Sequence, residues 1–260
     1  MGFRRAPLAR RLRLLARKGR DGVPPLFWIT CALVGLACGT QKAVTSGGGQ
    51  AGGGASEADL AAGDVACLRF LEESEVAFVR PEAPVRGIRT AVVVKGALGG
   101  VRLVPRGRAP ALMDCELARA LVEAAPTIRE AGIRKLIFSG AYNYRNRRRS
   151  SRLSAHAHGL AIDVHEFDGP VGRLSVQRDF EAGRGRWRGI VTREGDIDGC
   201  IGTPRGPVGR RLRRLVCELK HHSAFRVVIT PDDNADHRDH VHFEAFPDAV
   251  ARVSRVMGRF

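Results

Sequence analysis

Short apolar stretches alternate with polar, glycine-containing segments from about residue 57 onward. Leucines recurring every three or four positions predict helices. These helices start near Asp59, run from Asp114 to about Gly132, and cover about 207–222. Runs rich in Val, Ile and Phe predict strands at 90–104 (two strands about a glycine-rich turn), 134–142, 160–167, 225–230 and 241–246. Because the elements mix without a regular strand–helix–strand rhythm, the pattern predicts an α+β fold.

The first 38 residues have the pattern of an export signal. A basic region precedes the apolar run "PLFWITCALVGLA", which is too short for a membrane span. The run ends at Cys38 in "GLACGT", which resembles a bacterial lipoprotein signal whose cysteine is lipidated. Gly35 stands where leucine is usual, so an ordinary cleaved signal is the alternative. Both interpretations predict export to the periplasm or cell envelope, the first with a lipid anchor in the outer membrane.

Residues 39–56 are rich in Gly, Ser and Ala and predict a flexible linker, followed by one domain over 57–260. This domain contains an even number of cysteines, which in an exported protein predicts disulfides. They are Cys67, Cys115, Cys200 and Cys217. Three pairings are possible, and order along the chain favours Cys67–Cys115 and Cys200–Cys217.

The chain is strongly basic, with a formal net charge of +16. Residues 1–37 hold eight basic side chains and one acid, a net of +7, which leaves +9 for the rest. The remaining basic residues are mostly scattered arginines, and no nucleic-acid-binding motif accompanies them. We therefore expect no nucleic-acid partner and favour an anionic polymer such as a cell wall.

All eight histidines lie between residues 156 and 242. His156 and Asp163 are separated by six residues that include Gly159, so a loop histidine and a strand aspartate can converge. In "HRDHVH", His240 and His242 are two apart and share a face of an extended segment. Two imidazoles and one carboxylate are a known zinc arrangement for hydrolysis, although histidine-rich tracts also bind metals adventitiously.

The stretch "SAHAHGLAID" (154–163) fits the pattern S-x-H-x-x-G-x-A-x-D of the zinc peptidase group that comprises D-Ala-D-Ala carboxypeptidases and MepA-like murein endopeptidases. Together with "PDDNADHRDHVHFE" (231–244), the segment 139–163 resembles more particularly the extensin-like C-terminal domain family of bacterial exported proteins. The resemblance covers about residues 64–248. It implies a single compact domain with a small, mainly antiparallel sheet flanked by helices, as in DD-peptidases.

The resemblance also implies roles for individual residues. His156, Asp163 and His242 match the ligands of one zinc ion. His240 matches the catalytic base, and His237 matches a further histidine that lines the site. Arg145 stands where an arginine steadies a substrate carbonyl or oxyanion, and Ser154 orders the loop or contacts substrate. Two departures are Tyr144, where many relatives have cysteine, and the insert 183–200 between the motifs.

The sequence therefore favours a zinc metallopeptidase that hydrolyses cross-links or stem peptides of peptidoglycan. An arginine loop over 145–152 suits a substrate with carboxylates, although Arg147 to Arg149 are equally well explained as a solvated charge run. The alternative is an envelope lipoprotein that binds peptidoglycan or metal without cleaving. A polyanion binder is a third hypothesis, and it would not need the His/Asp set.

Overall fold

Ten β-strands and four α-helices lie in residues 57–183 and 200–248, the part of the chain that the computed structural model describes. The helices are α1 (Glu57–Glu73), α2 (Cys115–Glu130), α3 (Val176–Asp179) and α4 (Pro207–His221). The first five strands are β1 (Phe78–Val79), β2 (Ala91–Val94), β3 (Ala97–Leu98), β4 (Val101–Pro105) and β5 (Leu112–Asp114). The others are β6 (Lys135–Gly140), β7 (Ala161–Asp168), β8 (Leu174–Ser175), β9 (Phe225–Ile229) and β10 (Val241–Ala245).

The strands form two sheets. The larger has seven strands in the order β3-β4-β6-β7-β10-β9, with β8 paired to β7, and all its pairs are antiparallel except β4 with β6. The smaller is antiparallel, in the order β1-β2-β5. The predicted α+β class and single domain are confirmed. The expectation of one small sheet was incomplete, because β2 pairs with β1 and β5 instead of joining the main sheet.

Helix α2 packs against strands of both sheets and contributes many of the buried core residues. Asp114 accepts a hydrogen bond from the Glu116 backbone N–H at 2.9 Å and so caps the helix. Alanines and leucines at helical spacing are buried along its inner face. The largest fully buried apolar side chains of the fold include Phe138, Phe167 and Phe243, which come from three different strands of the main sheet.

Two disulfides cross-link the described part of the chain. Cys67 of α1 pairs with Cys115 at the start of α2, and Cys200 pairs with Cys217 of α4. This is the pairing that chain order favours. Disulfides persist in oxidising compartments, so they indicate an exported protein.

Every helix in the described part of the chain is too short or too polar to cross a bilayer. The predicted signal segment 1–38, its Cys38 and the linker 39–56 lie outside the described residues, as does most of the insert 183–200.

Candidate metal centre

Asp163 and His242 meet because their strands are neighbours in the main sheet. Strands β7 and β10 pair antiparallel, with His242 directly opposite Asp163. Directly opposite residues project from the same face of a sheet, with Cβ atoms about 4.5–5.5 Å apart. His242 Nδ1 consequently lies 2.9 Å from Asp163 Oδ1. The spacing of almost eighty residues along the chain becomes a direct contact in the fold.

His156 reaches the same point from a short 3-10 helix, Ala155–His158. Ser154 caps this turn by accepting a hydrogen bond from the His156 backbone N–H, and Gly159 ends it in the left-handed conformation, with φ of 64°. A Cβ at Gly159 would lie 2.6 Å from the Asp114 backbone nitrogen, so only glycine fits. The turn places His156 Nε2 at 3.2 Å from Asp163 Oδ1.

His156 Nε2, Asp163 Oδ1 and His242 Nδ1 form a triangle with sides of 3.2, 2.9 and 3.3 Å. A tetrahedral zinc ion with bonds of about 2.0–2.2 Å separates its ligand atoms by about 3.3–3.6 Å. The two longer sides lie within about 0.4 Å of that spacing, and the 2.9 Å side is about 0.4–0.7 Å shorter. These three residues could therefore hold a metal ion after small side-chain shifts, and all three line a cleft.

The electrostatics favour the metal-binding forms of Asp163 and His242. Burial raises the pKa of Asp163, but hydrogen bonds from His156 and His242, together with their charges, outweigh it and hold the pKa well below its usual value. Burial is the main cause that lowers the pKa of His242, and Asp163 offsets it only in part. An ionised carboxylate beside a neutral imidazole is the metal-binding form of both groups.

His240 and His237 lie beside this triangle. His240 Nε2 is 3.6 Å from Asp163 Oδ1, and the ring centroids of His237 and His240 are 4.9 Å apart. Burial, followed by the charges of His240 and His242, lowers the pKa of His237 to about 4. His237 Nδ1 lies 2.6 Å from Asn234 Oδ1, which orients its ring. The fold thus brings together every histidine that the sequence assigned to the site.

The centre opens into a cleft of about 580 Å³ whose wall carries four arginines. They are Arg145, Arg147, Arg148 and Arg226. Arg148 forms an ion pair with Asp236 at 2.6 Å, and Arg226 pairs with Glu244. Within residues 57–183 and 200–248, no carboxylate pairs with Arg145 or Arg147. The cleft therefore offers positive charge to a ligand, and Ser154 lies in its lining as well.

Two other groups of residues have metal-ligand chemistry. In one, Cys200, Cys217 and His221 come together, but the disulfide removes both thiolates. The other consists of His165, Asp239 and His240. Arg106 Nη1 lies 2.9 Å from His165 Nδ1, and a guanidinium at that distance repels a second cation. The His156, Asp163 and His242 group is the better candidate.

Sequence reasoning missed four residues around the centre: Arg106, His165, Asp239 and Glu244. His165 is 7% exposed and follows Asp163 by two positions in β7, so the strand period of two could have placed it on the same face. The same period relates Glu244 to His242 in β10, and Glu244 Oε2 lies 3.7 Å from His242 Nε2.

No family model matches this chain, and neither a curated protein nor a solved structure matches it.

Proposed function

We propose that the protein is a zinc-dependent peptidase that hydrolyses peptide bonds in peptidoglycan, either in cross-links or in stem peptides. The observation that carries the proposal is the triangle of His156 Nε2, Asp163 Oδ1 and His242 Nδ1, with sides of 2.9–3.3 Å, at the base of an open cleft. The resemblance of both histidine motifs to the extensin-like and MepA-like peptidases supports the same assignment.

Zinc is the proposed metal because the donors are two imidazoles and one carboxylate. Magnesium and calcium prefer sites built of oxygen ligands, which this one is not. Ferrous iron also binds two histidines and one carboxylate, so elemental analysis of the purified protein has to identify the ion. We expect one zinc ion per chain.

The surrounding side chains suit peptide hydrolysis. When bound, zinc supplies Lewis-acid polarisation of a carbonyl group and activation of a water molecule as a nucleophile. His240 accepts a proton at Nε2, which faces the ligand triangle, and returns it to the leaving amine. Arg145 lines the cleft and donates hydrogen bonds to the carbonyl oxygen as negative charge develops there. His237 packs against His240 and fills the space beside it.

Peptidoglycan is the proposed substrate because the cleft is basic and the protein is exported. Stem peptides carry carboxylates, and Arg145 and Arg147 offer them guanidinium groups that pair with no carboxylate of residues 57–183 and 200–248. We further propose that the protein works in the periplasm or cell envelope. Lipidation of Cys38 would anchor it to the outer membrane, close to the substrate.

The second candidate is an envelope lipoprotein that binds peptidoglycan or metal without cleaving. Such a protein would use the same ligand triangle and the same arginines, but it would not need His240 Nε2 beside Asp163. The two candidates differ in one measurable property, the release of peptides from the cell wall.

The test is to incubate purified peptidoglycan with the zinc-loaded protein and to identify released fragments by mass spectrometry. Alongside it, His240→Ala removes the proposed base and keeps all three ligands. We expect release by the wild type and a loss of about 10²–10⁴-fold in rate for the variant. Stoichiometric zinc without any release would favour the binding protein, and release that persists in His240→Ala would remove the base from the mechanism.

A further inference from the structure

A chain of polar contacts lies behind His240, on the side away from the ligand triangle. His240 Nδ1 lies 2.9 Å from Asp239 Oδ1. A carboxylate only accepts hydrogen bonds, so Nδ1 carries the ring proton in this contact. In the neutral ring, Nε2 then holds the lone pair, and it is this atom that lies 3.6 Å from Asp163 Oδ1.

We propose that Asp239 is the positioning residue of the site: it fixes His240 in the tautomer whose bare Nε2 faces the candidate metal centre. The inference rests on the proposed function for the catalytic role of His240, whereas the tautomer itself does not depend on any activity. Among the described residues, Asp239 contacts His240 and His165, so we infer that it acts on the site through His240.

Asp239 lies against His165, a buried histidine of β7. His165 Nδ1 lies 2.9 Å from the Asp239 carbonyl oxygen and 3.7 Å from its Oδ2. The ring centroids of His165 and His240 are 5.3 Å apart, so His165 also packs beside the imidazole that Asp239 orients. His165 is buried on β7, two residues after Asp163. Its contact with Asp239 therefore packs this residue against the strand that carries a candidate ligand.

The position of Arg106 favours this arrangement over a second metal ion held by His165, Asp239 and His240. Its guanidinium lies 2.9 Å from His165 Nδ1. A fixed positive charge there favours an ionised Asp239 and opposes a divalent cation in the same place. The two arrangements also predict different stoichiometries, one metal ion or two for each chain.

The primary experiment is long-range ¹H–¹⁵N NMR of the histidine rings in the ¹⁵N-labelled full chain, above the pKa range of histidine. We expect the protonated Nδ1 form for His240 in the wild type. Asp239→Ala should shift His240 toward the Nε2-protonated form, and Asp239→Glu, which keeps an acceptor-only carboxylate, should restore it. Asp168→Ala is the control, because Asp168 is an acid at the end of β7 that pairs with Lys135 and lies outside the cleft lining.

The second arm measures zinc content and peptidoglycan hydrolysis of the same variants. Asp239→Ala should keep one zinc ion and the wild-type KM and lose about 10- to 100-fold in kcat. An Nε2-protonated His240 in the wild type, or two metal ions for each chain, would overturn the proposal. If the wild type cleaves nothing, the proposed function fails, and the NMR result still decides whether Asp239 sets the tautomer.

Discussion

The two histidines of "SAHAHGLAID" offer a matched pair for testing the metal centre. His156 and His158 belong to the same 3-10 helix, two residues apart. His156 Nε2 points at Asp163, whereas His158 Nδ1 lies 3.0 Å from the Gly87 carbonyl oxygen, outside the ligand triangle. We therefore expect His156→Ala to abolish the stabilisation of the protein by zinc, and His158→Ala to leave it intact.

The size of the effect follows from linkage between binding and folding. Zinc at 100 times its dissociation constant stabilises the folded state by about 2.7 kcal/mol. For a domain of about 200 residues, 1 kcal/mol shifts the Tm by about 2–4 °C. The wild type should then gain about 5–11 °C in Tm. If loss of one of three ligands weakens zinc about 1,000-fold, the same zinc concentration contributes less than about 0.1 kcal/mol in His156→Ala.

The assay is thermal unfolding of each protein with a chelator and with zinc, followed by circular dichroism. The comparison uses the zinc-dependent shift within each variant, so any loss of basal stability cancels. Equal zinc shifts in His156→Ala and the wild type would refute the assignment of His156 as a ligand. A lost shift in His158→Ala would show that the adjacent histidine had been misassigned.

Three other substitutions test the fold that positions the centre. Arg213→Met leaves the buried Asp232 carboxylate without its ion-pair partner, and the free energy of unfolding in urea should fall by about 3–5 kcal/mol. A loss below about 1 kcal/mol would contradict a buried ion pair here. Gly159→Ala puts a side chain where φ is 64°, and the same assay should show a loss of at least about 1–2 kcal/mol rather than none. In the metal-free protein, the free energy of unfolding should fall as pH drops from about 6.5 to about 4. Burial and the neighbouring histidines hold the pKa of His237 at about 4, so the unfolded chain takes up this proton at a higher pH than the folded protein does. His237→Gln should reduce the slope of stability against pH, and an unchanged slope would contradict this prediction.

Most of the elements were predictable from the sequence because their periodicity is local. The predicted helix over 207–222 corresponds to Pro207–His221, and the predicted strand 225–230 to Phe225–Ile229. The parallel pairing of β4 with β6 was not predictable, because it depends on how α2 crosses between them. The two-residue β1 was missed because so short a segment has no readable alternation.

The candidate site was predictable to the extent that its chemistry lies in short motifs. The spacing of His156 and Asp163, and of His240 and His242, predicts a site of imidazoles and one carboxylate, and the family resemblance implies that His242, not His240, is the third ligand. The contact between Asp163 and His242 depends on the register of β7 against β10, which no local pattern contains. Asp239 was overlooked inside "HRDHVH" because its role depends on the direction of a side chain, not on spacing.

The central claim is that His156 Nε2, Asp163 Oδ1 and His242 Nδ1 hold one zinc ion. Crystals of the zinc-loaded protein, measured on both sides of the zinc absorption edge, test it most directly. We expect a single anomalous peak within about 2.0–2.2 Å of these three atoms, with His240 Nε2 unliganded. A peak among His165, Asp239 and His240, or no ordered peak in zinc-loaded crystals, would contradict it.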